Sequence, residues 1–555
     1  MTHLTVPILV QSVEQALTAA TVAAENGGDL VEYRVDRFVD PARSASVAAL
    51  TTLLERSPLP CIVTCRSATE GGQSDADDAA RVAVLEHAAA AAQPPAYLDV
   101  ELATYQKSAA LRQRIDRLVD HPGQAGVTST GLILSSHDFA GRPADLLQRV
   151  EAMAQAPACR VVKIVWQARS LRDNLEAFEI LAHRYKPTIA LCMGEAGLPS
   201  RVLARKFGAL LTFASGADGM QTAPGQPTVA QLKTLYRWDR INSQTRVYGV
   251  IGHPVGHSMS PAIHNAGFDA TAFDGVYLPL PIPPEYEHFK ATVGAWLDYA
   301  PLHFGGASVT IPHKENLLRF VAQRGGEIEP LAADIGAANT LTVRDDGALY
   351  ASNTDYAAAL DAVCEAMGIA RQELAGMRVA VLGAGGAARA IVAGFAHYGA
   401  TVVIYNRTLE RAAALAQQFN GCPVADGVAR SGKVVAARLE KLCDSCCQVY
   451  INCTPIGMHP LVDATPLALS DSETRGGAPP EKPLSRLGPG TVVFDTIYNP
   501  IHTRLLREAR AAGCLTIAGT EMFVRQARGQ FRLWTGMDAP LDVFRRVLLD
   551  RLGHG

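Results

Sequence analysis

Two lysines stand in sequence surroundings that suit amine chemistry. Lys163 interrupts the apolar, β-branched run Val161–Val165, so its cationic side chain would project from a buried strand. Lys314 follows a second apolar run, 308–313, and stands where a helix should begin. A lysine withdrawn from water loses stability as an ammonium ion and becomes a usable amine, for Schiff-base formation or for proton transfer. Two such lysines in one chain predict two reactions.

The elements that must position Lys163 form a regular series up to about residue 240. Short apolar runs recur at intervals of roughly 20 to 35 residues, and each is followed by an Ala/Leu-rich amphipathic stretch. Eight candidate strands that alternate with helices predict an α/β fold, a (β/α)8 barrel over residues 1–240, with its chemistry at the carboxyl ends of the strands. The candidate strands are 4–10, 29–35, 60–65, 96–101, 131–136, 160–166, 187–193 and 209–214.

Charged or titratable residues interrupt or end six of these candidate strands. Any one of them alone is best explained by a structural salt bridge. Their concentration at one end of six strands favours a catalytic site instead. The residues are Glu32, Arg34, Arg66, Glu70, Asp99, Glu101, His137, Asp138, Lys163 and, beyond the seventh strand, Arg201.

A glycine-rich turn in the second half of the chain predicts a dinucleotide site. The alternation of strand-like and helix-like stretches resumes after a linker at 237–246, and residues 247 to about 355 mix strands and helices. A strand then leads into Gly383-Ala384-Gly385-Gly386-Ala387-Ala388, which fills the GxGxxA positions. Glycines there let backbone N–H groups approach a pyrophosphate at the start of a helix, as in a Rossmann fold.

The residues after the next strand, 401–405, decide which dinucleotide is expected. An NAD site places an acidic residue there for the ribose 2′-hydroxyl. This chain has Asn406, Arg407 and Thr408 instead, and an arginine with small polar neighbours suits a 2′-phosphate. NADP is therefore the predicted cofactor.

Composition excludes several classes of protein. The chain has 555 residues with 48% hydrophobic and 19% charged residues and a net charge of -3, which disfavours a nucleic-acid binder. No apolar run has the length of a membrane span, and residues 1–10 resemble neither a signal nor a transit peptide, so a cytoplasmic enzyme is predicted.

The eleven cysteines are scattered as in a reduced protein. The cluster Cys443, Cys446 and Cys447 lacks the second pair of a zinc site, so no metal is predicted.

Residues 1–240 resemble type I 3-dehydroquinate dehydratases. The resemblance implies that Lys163 forms an imine with the substrate ketone, that His137 removes a proton and later protonates the leaving hydroxyl, and that Glu70 orients His137. It also implies six residues that hold the substrate: Glu32, Arg34, Arg66, Arg201, Thr222 and Gln226. It is carried by Glu32-x-Arg34-x-Asp36, Arg66-Ser67-Ala68-x-Glu70-Gly71-Gly72, Asp99-x-Glu101, Ser136-His137-Asp138, Lys163, Met193-Gly194 with Ser200-Arg201, and Ala223-Pro224-Gly225-Gln226.

The chain from about residue 246 resembles shikimate dehydrogenases. The motifs include Gly256-His257-Ser258-Met259-Ser260-Pro261, Val309-Thr310-Ile311-Pro312-His313-Lys314, Ala338-Asn339-Thr340, Asn353-Thr354-Asp355 and Gly519-x-x-Met522-Phe523-Val524-x-Gln526. The resemblance implies a proton-transfer pair, Lys314 and Asp355, and substrate-binding residues Ser258, Ser260, Thr310, Asn339, Tyr498 and Gln526. Thr496 and Gly519 would lie beside the nicotinamide.

The two resemblances imply consecutive reactions. The first yields 3-dehydroshikimate from 3-dehydroquinate, and the second reduces it to shikimate with NADPH. We expect three domains: the barrel at 1–240, a substrate-binding α/β domain at 247–357 joined by helices at 522–555, and a Rossmann domain at 375–521. The partners expected are small-molecule substrates, with no nucleic acid and no membrane, and the oligomeric state is open. Two alternatives are a quinate/shikimate dehydrogenase of quinate catabolism and an inactive regulator, which should have lost catalytic lysines that this chain retains.

Overall fold

Three β-sheets organise the chain. The computed structural model describes residues 2–121, 129–217, 219, 223, 225–420, 432–444, 446–467 and 487–553, apart from the side chains of 440, 443 and 444. Over these residues the sheets contain eight, six and six strands. No helix in the described ranges combines the length and the apolar character that crossing a membrane requires.

The first sheet is a barrel of parallel strands in the order β7-β6-β5-β4-β3-β2-β1-β8. Leu210 N donates to Thr188 O at 2.9 Å and so links the residue before β8 to the first residue of β7. The predicted barrel is confirmed. Its strands are β1 (His3–Leu9), β2 (Leu30–Arg34), β3 (Cys61–Thr64), β4 (Tyr97–Glu101), β5 (Gly131–Asp138), β6 (Cys159–Gln167), β7 (Thr188–Met193) and β8 (Leu211–Phe213). Its helices are α1 (Val13–Glu25), α2 (Ser44–Glu55), α3 (Asp78–Ala89), α4 (Leu102–Gln106), α5 (Ala109–Asp116), α6 (Leu146–Gln155), α7 (Asp173–Ala182) and α8 (Leu198–Val202).

Local sequence explains why these elements form. The α1 helix begins where the Ser12 side chain accepts a hydrogen bond from Gln15 N at 3.3 Å, and its buried residues Ala16, Ala20 and Ala23 recur at helical spacing. The β6 strand is rich in β-branched residues, which favour extended backbone, and it is buried along most of its length. The polar ends of such strands meet at one rim of the barrel.

The second sheet is mixed, in the order β10-β9-β11-β13-β14-β12. β13 runs antiparallel to both β11 and β14, and the other pairs are parallel. Its strands are β9 (Arg246–Gly252), β10 (Gly275–Pro281), β11 (Phe304–Val309), β12 (Glu327–Ile328), β13 (Thr340–Val343) and β14 (Leu349–Ser352). The helices of this region are α9 (Ser260–Ala270), α10 (Tyr286–Asp298), α11 (Lys314–Gln323), α12 (Pro330–Ile335) and α13 (Thr354–Met367).

The third sheet is parallel, in the doubly wound order β17-β16-β15-β18-β19-β20. This order confirms the predicted Rossmann fold. Its strands are β15 (Arg378–Leu382), β16 (Thr401–Asn406), β17 (Val434–Arg438), β18 (Val449–Asn452), β19 (Val492–Asp495) and β20 (Leu515–Ile517). The remaining α-helices of the described residues are α14 (Gly386–His397), α15 (Leu409–Phe419), α16 (Arg504–Ala511), α17 (Gly519–Thr535) and α18 (Leu541–Gly553). The last two pack back on α13 and α9.

The connection between the barrel and the second sheet is tightly packed. Trp238 is buried, and Arg237 Nε donates to Asp269 Oδ1 at 2.6 Å. Lys206 of the barrel donates from Nζ to Ser243 O at 2.8 Å. One continuous cluster of buried side chains therefore extends from the barrel into the second sheet. The segment 464–490, predicted as a surface loop, lies mostly outside the described residues.

Two candidate active sites

Lys163 lies at the centre of the barrel mouth. It stands on β6 opposite Ser135 of β5, and its side chain is only 4% exposed. Its Nζ lies 2.8 Å from Asp99 Oδ2 and 3.4 Å from Glu32 Oε1, and 4.5 Å from the centre of the Phe213 ring. The predicted buried lysine is present, but it is paired with carboxylates rather than isolated among apolar groups.

Asp99 connects Lys163 to a second buried cation. Its Oδ1 lies 2.9 Å from Arg66 Nη2 and accepts a hydrogen bond from Ser135 Oγ at 2.6 Å. Burial raises the pKa of a carboxyl, but the charges of Arg66 and Lys163 outweigh that effect and lower the pKa of Asp99. On sequence grounds Asp99 is one of the charged residues at the ends of the candidate strands, but the resemblance assigns it no catalytic or binding role. Its part in the site is visible only in the structure.

His137 and Glu70 form a second pair at the barrel mouth. His137 Nδ1 lies 3.0 Å from Glu70 Oε2, which also accepts a hydrogen bond from the His137 backbone N–H at 3.0 Å. Burial, and then the charges of Arg66 and Lys163, hold the pKa of His137 well below its usual value, which keeps the imidazole neutral. With Nδ1–H assigned as the donor to Glu70, Nε2 is free to accept a proton.

Arg201 is a buried cation that faces this cavity and has no carboxylate partner among the described residues. It is 1% exposed, its Nε has no hydrogen-bond partner in the described structure, and its Nη1 donates to Phe213 O at a long 3.5 Å. Burial lowers its pKa to about 10. By contrast, Arg34 forms two hydrogen bonds to Asp36. An uncompensated buried guanidinium suits an anionic ligand such as a carboxylate.

Eight of the nine residues predicted for the first site line one cavity. Thr222, the ninth, lies outside the described residues. The eight are Glu32, Arg34, Arg66, Glu70, His137, Lys163, Arg201 and Gln226. They come from six separated stretches of sequence that the barrel brings to one rim.

The second candidate site contains Lys314, Asp355 and Asn339. Lys314 Nζ lies 2.6 Å from Asp355 Oδ2, and Asn339 Nδ2 donates to Asp355 Oδ1 at 2.8 Å. Asp355 is held in the first turn of α13 because Asn353 caps that helix and accepts a hydrogen bond from Asp355 N at 3.0 Å. Lys314 opens α11 and its side chain is 28% exposed, so the expectation of a buried lysine is wrong here.

Four other predicted substrate-binding residues are half-buried and one is exposed. Ser260 N donates to Ser258 Oγ at 3.3 Å just before Pro261, the arrangement of a helix start. Tyr498, 40% exposed, has its ring 5.5 Å from that of Phe523 on α17, the helix that also carries Gln526. Thr310 lies one turn before Lys314, and its carbonyl accepts a hydrogen bond from His313 N at 2.8 Å.

The glycine-rich turn follows β15 as predicted. Gly383 has φ +109° and its N–H donates to Tyr405 O at 2.8 Å, which holds the turn against β16. Gly385 precedes α14 and leaves the helix start without a side-chain cap. A Cβ added at Gly385 or Gly386 would meet no atom within 4 Å, so the space there is open to a ligand. Ala384 and Ala387 complete this turn, each half-buried.

The residues around this turn fit NADP. Asn406 Nδ2 donates to Thr408 O at 2.8 Å, and Arg407 is exposed at the end of β16. Thr496 Oγ1 donates to Asn452 O at 2.8 Å beyond β19. Gly519 packs so tightly that a Cβ would lie 2.4 Å from the carbonyl atoms of Ile497. Backbone N–H groups for a pyrophosphate and an arginine for a 2′-phosphate are therefore both present.

The structure gives no positive sign of a metal centre. Within the described ranges, no three His, Cys, Asp or Glu side chains are grouped as metal ligands. Of the cysteine cluster, the Cys443 side chain lies outside the description, Cys446 is exposed and Cys447 is buried. The described cysteines at 61, 65, 159, 192, 364, 453 and 514 form no disulfide bond.

Four family descriptions match successive parts of the chain. Type I 3-dehydroquinase matches residues 4–243, and the shikimate dehydrogenase substrate binding domain matches 250–341. Shikimate/quinate 5-dehydrogenase matches 366–428, and the shikimate 5'-dehydrogenase C-terminal domain matches 519–549. The chain is 36% identical over 553 residues to the bifunctional 3-dehydroquinate dehydratase/shikimate dehydrogenase of Arabidopsis thaliana, named chloroplastic, covering 98% of this chain and 83% of that protein. The chain belongs to this bifunctional family. This confirms both resemblances that the sequence showed.

Other relatives match this chain over about half of its length or over nearly all of it. The shikimate dehydrogenase (NADP(+)) of Methanosarcina mazei is 39% identical over 55% of this chain and 99% of its own. Its name agrees with the predicted cofactor. A solved Thermus thermophilus shikimate 5-dehydrogenase with NADP(H) and shikimate is 31% identical, with a TM-score of 0.44 over 55% of this chain and 99% of that one. The solved structure of the dehydroquinate dehydratase and shikimate dehydrogenase from S. pombe AroM is 25% identical, with a TM-score of 0.43. The match covers 99% of this chain and 98% of that one.

Proposed function

We propose that this bifunctional enzyme dehydrates 3-dehydroquinate to 3-dehydroshikimate at the barrel mouth and reduces that product to shikimate with NADPH at the second site. The observation that carries the proposal is the pairing in each site of a lysine with a carboxylate, Lys163 with Asp99 and Lys314 with Asp355. The Lys163 pair shares its cavity with Arg201, which suits a carboxylate-bearing substrate. Family membership supplies the order of the reactions.

At the barrel mouth, Lys163 condenses with the substrate ketone and releases water, which leaves a protonated imine. That imine withdraws electrons, so the neighbouring C–H becomes acidic enough for the neutral His137 imidazole to remove the proton. The resulting enamine expels the β-hydroxyl, which takes the proton from His137 and leaves as water. Arg201 holds the substrate carboxylate, and hydrolysis of the imine frees Lys163 and the product.

At the second site, Ser258 and Ser260 bind the carboxylate and Lys314 supplies the proton that the keto oxygen needs. Bound NADPH supplies the hydride. Asp355 accepts hydrogen bonds from both Lys314 and Asn339, which holds the ammonium group of Lys314 at one place. Thr310, Asn339, Tyr498 and Gln526 are assigned to the hydroxyls, and Thr496 and Gly519 to the wall beside the nicotinamide.

The domain division follows the three sheets. We propose a barrel at 1–240, a substrate domain at 247–357 completed by helices within 522–555, and a nucleotide domain at 375–521. The packing of α17 on α13 and of α18 on α9 supports the return of the C-terminal helices. A cytoplasmic location is proposed on the sequence alone.

Two substitutions test the assignment of the two sites. Lys163→Ala should abolish dehydration of 3-dehydroquinate and leave reduction of added 3-dehydroshikimate intact, whereas Lys314→Ala should do the reverse. Borohydride should trap a substrate adduct in the wild type and in Lys314→Ala but not in Lys163→Ala, as read by mass spectrometry. Loss of both activities from either change contradicts the two-site assignment. Faster turnover of quinate than of shikimate would favour the quinate dehydrogenase instead.

A further inference from the structure

The buried carboxylate of Asp36 accepts four hydrogen bonds from groups around the barrel mouth. Its Oδ1 accepts from Arg66 N at 2.9 Å and from Arg34 Nε at 3.2 Å. Its Oδ2 accepts from Gln73 N at 2.9 Å and from Arg34 Nη2 at 2.7 Å. An ionised carboxylate has about four acceptor positions, so all of them are used. Asp36 lies outside the described lining of the barrel cavity, and it therefore acts on the groups that donate to it.

Two of these donors come from the loop 66–74, which carries Glu70. The loop follows β3 and turns back so tightly that a Cβ added at Gly72 would lie 2.0 Å from Arg66 O. Because Asp36 accepts hydrogen bonds from the backbone near both ends of this loop, it fixes the position of the loop on the barrel.

The position of this loop decides whether Glu70 reaches His137. Glu70 Oε2 lies 3.0 Å from His137 Nδ1 and accepts a hydrogen bond from the His137 backbone N–H at 3.0 Å. These contacts join residues 67 positions apart in the chain, so they depend on where the loop lies. A displacement of about 1 Å at a catalytic group can cost about 100-fold in rate.

The other two donors belong to Arg34, which we assign to the substrate. Its guanidinium meets Asp36 through Nε and Nη2, and such a bidentate pair fixes the plane of the arginine fork. Arg34 and Lys163 both line the barrel cavity. One carboxylate therefore holds a substrate-binding arginine and the loop that carries Glu70.

We propose that Asp36 is a positioning residue of the dehydratase. It sets the plane of the Arg34 guanidinium. Through the loop 66–74 it also sets how closely Glu70 approaches His137. The inference rests on the proposed function, because these groups serve dehydration only if the barrel catalyses it. The family resemblance includes Asp36 as a motif residue and assigns it no role.

Asp36→Asn in the full-length chain tests this role. The amide keeps the size of the carboxylate but accepts hydrogen bonds at one atom only, so two of the four hydrogen bonds and the negative charge are lost. We expect kcat/KM for dehydration of 3-dehydroquinate to fall by about tenfold or more, with a higher KM because Arg34 is released. Reduction of 3-dehydroshikimate, measured on the same protein, should be unchanged.

The pH profile distinguishes positioning from a loss of stability. Burial is the main cause of the raised pKa of Glu70, about 7. The charge of Arg66 and the His137 backbone N–H lower this pKa, and the charges of Glu101 and Asp99 raise it. A displaced loop exposes Glu70 to water, so the rise of kcat/KM should move to lower pH. A variant that only unfolds more readily keeps the rise at the wild-type pH.

Asp75→Asn is the matched control. It makes the same change close to the same loop, but its carboxylate pairs with Arg37 at 3.3 Å and both side chains are mostly exposed. Its rate of dehydration and its pH profile should match those of the wild type. Amide hydrogen exchange, read by mass spectrometry, gives a measure that does not need activity: residues 66–73 should be less protected in Asp36→Asn than in Asp75→Asn.

The outcomes separate the positioning role from the proposed function. If Asp36→Asn does not fold, Asp36→Glu keeps the charge beside Arg34, but its longer side chain moves the oxygens from the backbone donors, and the same shift to lower pH is expected. Wild-type rate and pH profile in a folded variant at Asp36 overturn the positioning role. Absence of dehydration by the wild type contradicts the proposed function instead.

Discussion

Asp99 Oδ2 lies 2.8 Å from Lys163 Nζ, and the other oxygen of the same carboxylate lies 2.9 Å from Arg66 Nη2. One buried carboxylate thus compensates two buried cations, each of which faces the cavity of the barrel. The catalytic amine is therefore positioned by an ion pair.

Asp99→Asn should disable the barrel and destabilise it. The change leaves two buried cations with less compensating charge, and breaking a buried pair costs about 3–5 kcal/mol of folding free energy. Dehydration should fall by at least about tenfold while reduction of 3-dehydroshikimate persists. Chemical denaturation and the two separate assays measure these effects. Glu86→Gln, which breaks the more exposed pair with Arg114, should cost only about 0–1 kcal/mol, and an equal loss in both variants would contradict this role.

The dehydratase should depend on pH through Glu70. Burial raises the pKa of Glu70 to about 7, so the carboxylate becomes ionised only as the pH rises through that value. The ionised form stabilises the imidazolium that His137 becomes, so kcat/KM for dehydration should rise with pH through about 7. The pKa of His137 itself is lowered, so its own titration belongs at lower pH. Glu70→Gln should lower the rate of dehydration and abolish the rise of kcat/KM near pH 7. If that rise remains in the variant, a group other than Glu70 causes it.

Arg407 should set the preference for NADPH over NADH. Arg407→Ala removes the cation expected at the 2′-phosphate, and loss of a hydrogen bond to a charged group costs about 1.5–3 kcal/mol. The KM for NADPH should therefore rise by about tenfold or more, with little change for NADH. Arg411→Ala, an exposed arginine of α15, is the control for general surface charge. An equal rise for both nucleotides would contradict the role assigned to Arg407.

Gly519→Ala should damage the dehydrogenase alone. A Cβ at that position would lie 2.4 Å from backbone atoms of Ile497, so either α17 or the segment after β19 must shift. Both carry residues assigned to the nicotinamide wall. The KM for NADPH should rise and kcat for reduction should fall, while dehydration by the same protein serves as the internal control. Full dehydrogenase activity would show that this close approach is not required.

The sequence by itself determined the elements and the identity of most site residues. The strand period of the first 240 residues and the glycine turn at 383–388 depend on near neighbours in the chain, so they are visible without a structure. The charged residues of the barrel are candidates because they stand at strand ends, whereas their roles and most residues of the dehydrogenase site are implied by the two family resemblances. The same logic predicted the cofactor from Asn406, Arg407 and Thr408.

Only the tertiary structure decided how these groups are paired. Lys163 and Asp99 are 64 positions apart, so no local pattern shows that they form an ion pair, or that Arg201 faces the cavity with no carboxylate partner among the described residues. The partial exposure of Lys314 also depends on how distant segments pack. Charge compensation and cavity shape are set by distances between side chains, and those distances exist only once the barrel closes and the C-terminal helices return.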